Sequence, residues 1–80
     1  MNKREQARID ALKLVDELVT AGQRRLADKL ALVVDGEAVA EAIANEEKSA
    51  SSVNNYITAN RIMLECVHDA QCVLSDLGQA

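Results

Sequence analysis

The residues best suited to chemistry lie close together near the C-terminal end, in Glu65-Cys66-Val67-His68-Asp69 followed by Cys72. Glu65 and His68 are three apart, the spacing that sets a carboxylate and an imidazole on one helical face, as in carboxylate-bridged di-metal bundles. A full site of that kind needs two such pairs and two more glutamates, so this chain would need a symmetric dimer and a glutamate from another helix, Glu41 or Glu46. His68 and Cys72 are four apart, one helical turn, as a base and a thiol nucleophile can be arranged. The chain has a single His and neither a phosphate-binding loop nor a dinucleotide fingerprint. The expectation is therefore a non-enzymatic protein with no metal and no cofactor, His68 being solvated beside Glu65 and Asp69. Cys66 reads as a small apolar residue.

Composition narrows the function classes further. The chain has 80 residues and 8.7 kDa, is 49% hydrophobic, and has one aromatic residue, Tyr56, no Pro and three Gly. A chain of this length buries only about 60% of its unfolded surface, so the core is thin and small aliphatics must fill it. Net charge is −4 and the sequence pI is near 4.8. Residues 1–30 carry seven basic and five acidic side chains, residues 31–80 two and eight. That acidic balance argues against nucleic acid as the partner, since binding by counterion release needs a basic surface. The charged start Asn2-Lys3-Arg4-Glu5 argues against a secretory signal. The strongest apolar run, Leu30 to Val34, is too short to span a membrane. Cys66 and Cys72, about 9 Å apart along a helix, cannot bridge each other. Reduced thiols point to the cytoplasm, and the small size to a bacterial or phage accessory protein.

Periodicity supplies the elements that position these residues. The sequence predicts an all-α fold in one domain, residues 1–80, with three short helices (about 3–19, 23–34 and 37–48) and one long C-terminal helix (52–77). Asn2 and Glu5 form a capping-box pattern, followed by Ala7, Ala11, Leu14, Val15, Leu18 and Val19 at helical spacing. A turn falls at 20–23, either with Gly22 ending the first helix or with Thr20 and Gln23 capping the second. Leu26, Leu30 and Val33 or Val34 mark the second helix. Asp35-Gly36 reads as a break, with Asp35 as N-cap of a third helix carrying Val39 and Ile43. Ser51 or Ser52 caps the last, which runs without Gly or Pro until Gly78.

The last helix is apolar on two faces. One stripe is Val53, Tyr56, Ile57, Met63, Leu64, Val67, Ala70, Leu74 and Leu77; the other is Ala59, Ile62, Cys66 and Val73. Two apolar faces need two neighbours, so the second stripe is the expected surface for a partner protein or for a homodimer. The function expected is an acidic protein–protein interaction module, an adaptor or inhibitor, binding through Ala59, Ile62, Cys66 and Val73 framed by Glu65, Asp69 and Asp76. A second reading is a dimeric DNA-binding regulator. Residues 39–61 resemble a helix-turn-helix, in which Asn54, Asn55 and Asn60 would read adenine edges. Only Arg61 supplies a cation on the last helix.

Overall fold

Three helices account for the described residues, 3–78, of the computed structural model: α1 (Lys3–Thr20), α2 (Arg24–Glu47) and α3 (Ala50–Asp76). The expected cap at Asn2 lies outside the described residues. α1 stops where Gly22 takes φ +79°, a left-handed conformation that glycine adopts without a Cβ penalty. The Gln23 amide donates to the Leu18 carbonyl at 2.8 Å and the Gly22 amide to the Val19 carbonyl at 3.0 Å. These are the two bonds of a Schellman motif. Gly22 as terminator is thus the correct one of the two expectations for this turn; Gln23 caps α2 without a side-chain bond, and the Thr20 hydroxyl donates to the Asp16 carbonyl.

The expected helices 23–34 and 37–48 are one continuous α2. Asp35 is an exposed mid-helix residue, not an N-cap, and Gly36 is helical. Glycine in a helix interior costs about 1 kcal/mol relative to alanine, and packing outweighs it here. Ala27, Leu30, Val34, Glu37 and Ala44 are all buried on one face of α2, so a break at 35–36 would split that stripe. α2 ends at Lys48, left-handed at φ 54°.

Only Lys48 and Ser49 separate α2 from α3. Ser49 is the N-cap of α3, accepting from the Ser52 amide at 3.1 Å, while the Ser52 hydroxyl accepts from the Ser49 amide at 3.2 Å. The cap is therefore Ser49, not Ser51 or Ser52 as expected; Ser52 sits in the first turn, buried. Gly78, at φ +75°, follows the end of α3 as expected.

The core joins Ala11, Leu14 and Leu18 of α1, Ala27, Leu30 and Val34 of α2, and Met63, Cys66, Ala70 and Leu74 of α3. α2 packs most extensively on α3, and α1 touches α3 least. The bundle measures 43 × 24 × 15 Å, with a radius of gyration of 13.5 Å against about 12 Å for a typical domain of this length. No helix among the described residues is long and apolar enough to cross a membrane.

Candidate functional site

The faces of α3 differ from the expected stripes. Tyr56, Met63, Ala70 and Leu74 are buried as expected, but Val53, Ile57, Leu64 and Leu77 of the same stripe are exposed. Of the expected partner stripe, Cys66 belongs to the core at 4% exposure, Ala59 and Val73 are half-buried, and Ile62 is exposed. Cys66 is thus corrected from partner contact to core residue, and burial pushes its thiol pKa above the ordinary value, which disfavours the reactive thiolate. Glu65, Asp69 and Asp76 are exposed. The cause lies in helix geometry. At 100° per residue Ile62 and Leu64 stand about 200° apart, and the buried centre lies between them, so neither flank is covered.

On the Leu64 flank the surface is shaped. Arg61, Leu64, Glu65, His68 and Asp69 line an open depression of about 440 Å³. Ile57 lies two turns before Leu64 and Val53 one turn further, so three exposed aliphatics share this flank. Its lining, all from one face of α3, combines one apolar side chain with two carboxylates, a guanidinium and an imidazole.

The His68 ring nitrogen Nε2 and Cys72 Sγ approach to 3.7 Å on the exposed side of α3. No third catalytic group completes that pair among the described residues. Glu41, one of the glutamates a di-metal site would recruit, is engaged elsewhere by Arg8 and Tyr56. Among the described residues no three His, Cys, Asp or Glu side chains gather as a metal set.

A polar clasp that the sequence reading missed ties the three helices together. Arg8 of α1 donates from Nε to Glu37 Oε2 at 2.9 Å and from Nη2 to Glu37 Oε1 at 3.0 Å; Nη2 also donates to Glu41 Oε1 at 3.0 Å. Tyr56 of α3 donates its hydroxyl to Glu41 Oε2 at 3.0 Å. The Arg4 guanidinium lies over the Tyr56 ring, 4.9 Å from its centre, a cation–π distance. Glu37 is fully buried. The bond to Glu37 foremost raises the Arg8 pKa further above its ordinary value. Arg8, ahead of its Tyr56 bond, holds the Glu41 carboxyl below the usual range. Burial, then the Glu41 bond, pushes the Tyr56 hydroxyl up. No buried polar side-chain atom among the described residues lacks a partner. One signal was available in the sequence: Glu37 falls in register with Leu30, Val34 and Ala44, which places a carboxylate on the core face.

Residues 39–61, the candidate helix-turn-helix, form the hairpin corner between α2 and α3. Its junction is two residues, Lys48 and Ser49. Tyr56 bonds Glu41 near this corner, and ten residues along α3 Cys66 lies near Lys29 of α2. The two helices therefore run antiparallel side by side, unlike the steeply crossed pair of that motif. Asn54 and Asn55 are exposed in the early turns of α3. Compared with known proteins, the chain matches no family model, no curated protein and no solved structure.

Proposed function

We propose that the chain is a non-enzymatic interaction module, an adaptor or inhibitor, that docks another protein on the Leu64 flank of α3. The observation that carries this reading is the exposed row Val53, Ile57 and Leu64 on one flank of α3, with Leu64 in a depression rimmed by charge. The chemistry fits a partner helix that lays an apolar face along this row. Basic residues on its edge would meet Glu65 and Asp69. Those charges set orientation and partner choice, while apolar burial supplies most of the affinity.

The test is capture of a stoichiometric partner by the immobilised chain under reducing conditions, with Leu64→Asp and Ile62→Asp beside the wild type and circular dichroism confirming that each stays helical. Both sites are exposed, so neither change opens the core. The expected result is one protein retained by the wild type and by Ile62→Asp, released by raised salt, and lost with Leu64→Asp. Retention lost with Ile62→Asp but kept with Leu64→Asp would move the site to the opposite flank. A protein held equally by all three would refute α3 as the docking surface.

A further inference from the structure

The outer face of α2 carries an arrangement that nothing within the chain explains. Its core stripe runs through Leu30, Val34, Glu37 and Ala44. At 100° per residue Leu32, Val39 and Ile43 lie on the opposite side. Leu32 is 72% exposed and Val39 59%. The sequence placed Val39 and Ile43 among apolar helix contacts, and the structure leaves both open. Between them is Gly36, where an added Cβ would meet nothing within 4 Å. The chain thus carries the helical penalty of a glycine without using its small size internally.

Charge adds a second, independent observation. Arg24 and Arg25 open α2, and Glu46 and Glu47 close it; its first turn holds no acidic residue and its last turn no basic one. Each charge opposes the helix dipole, whose N-terminal end favours anions and C-terminal end cations. Arg25, Glu46 and Glu47 have no ion-pair partner among the described residues. Gly36 lies eleven residues from Arg25 and eleven from Glu47, about 16 Å along the axis in each direction. A second α2 laid antiparallel with its glycine on Gly36 would place each Arg25 beside the other copy's Glu47. Both misplaced charges would be answered at once, as a self-complementary two-fold contact requires.

Surface area gives the same answer. The chain exposes 5375 Å², against about 4,700 Å² for a typical monomer of its mass. That surplus approaches the roughly 800 Å² per partner of a standard interface. We propose that two copies of this chain associate through the outer faces of α2, antiparallel about a two-fold axis at Gly36, with Arg25 of each copy paired to Glu47 of the other. This contact is separate from the α3 flank and leaves it open.

Light scattering on the full chain under reducing conditions, over a concentration series, tests it. The expected mass is twice 8.7 kDa for the wild type and 8.7 kDa for Val39→Lys and Gly36→Leu, with circular dichroism unchanged in both. Arg25→Glu should weaken association about tenfold, the loss expected for a close charge pair. Arg25→Glu with Glu47→Arg should restore it. A monomeric wild type at all concentrations overturns the proposal, as does a dimer that survives Val39→Lys and Gly36→Leu. A dimer lost with Val39→Lys, but whose weakening by Arg25→Glu is not reversed by adding Glu47→Arg, overturns the antiparallel pairing. A dimer abolished by Leu64→Asp and indifferent to the α2 variants moves the contact to α3.

Discussion

Arg8 and Glu37 depend on each other unequally. Glu37 is wholly buried, whereas the Arg8 side chain keeps 22% of its surface in water. Arg8→Ala leaves a buried carboxylate without its bidentate partner, a loss worth about 3 kcal/mol or more. Glu37→Met leaves an arginine that can swing into solvent and still reach Glu41, so it should destabilise far less. Urea unfolding of the two variants checks this, and equal losses would refute it. The same cluster sets the pH range. Glu41 is held below its ordinary 4.5, so its contribution is present above that value and fades as pH falls through the lowered one. Tyr56 is raised above its ordinary 10.0, so its contribution is present below that value and fades as pH rises through the raised one. A melting-temperature profile should therefore fall at both the acid and the alkaline end, the buried Cys66 thiol, raised above its ordinary 9.0, sharing the alkaline fall; Tyr56→Phe should reduce that fall without abolishing it. At this scale the sequence was only partly legible. Cys66 and Leu64 are both apolar and lie on opposite sides of one helix, so periodicity could not say which is buried. The Arg8–Glu37 pair was not legible, because charge is normally solvated and only pairing makes the burial of Glu37 tolerable.

Gly22 and Gly36 make opposite predictions for the same substitution. Gly22 is left-handed, so Gly22→Ala should destabilise by about 1 kcal/mol. Gly36 is helical with open space around it, so Gly36→Ala should stabilise the isolated chain by about 1 kcal/mol, raising its melting point by roughly 4–8 °C. Thermal melts at high dilution, where the chain is monomeric, distinguish the two, and a loss of stability at Gly36 would contradict a continuous α2. The helical class, the turn at 20–23 and the end of the last helix were legible, because caps, glycine and apolar spacing agree there. The join across Asp35-Gly36 was not. The dipeptide is a strong local turn signal, and the term that overrides it is burial of Val34 and Glu37 on one face, which requires knowing where α1 and α3 lie. The same holds for Ser49: three serines in four residues offered equivalent caps, and the reciprocal bonds with Ser52 select one.

The whole molecule is long and thin because three helices with small side chains pack closely around few large ones. Its surplus surface follows from this shape, and both docking surfaces argued above draw on it. The two-residue join between α2 and α3 has a further consequence, for the order in which the fold assembles. Its ends meet with almost no loop-closure entropy, and the hairpin it closes contains the most extensive interface in the molecule. α1 is held by a smaller contact with α2, a minor one with α3, and the Arg8 clasp. The hairpin should thus form as the first cooperative unit and α1 should dock onto it afterwards. In native-state hydrogen exchange the amides of α1 should open at lower free energy than those around Leu30 and Met63. Protection strongest in α1 would reverse that order. The junction that shortens the path between two helices therefore also decides which helix leaves first.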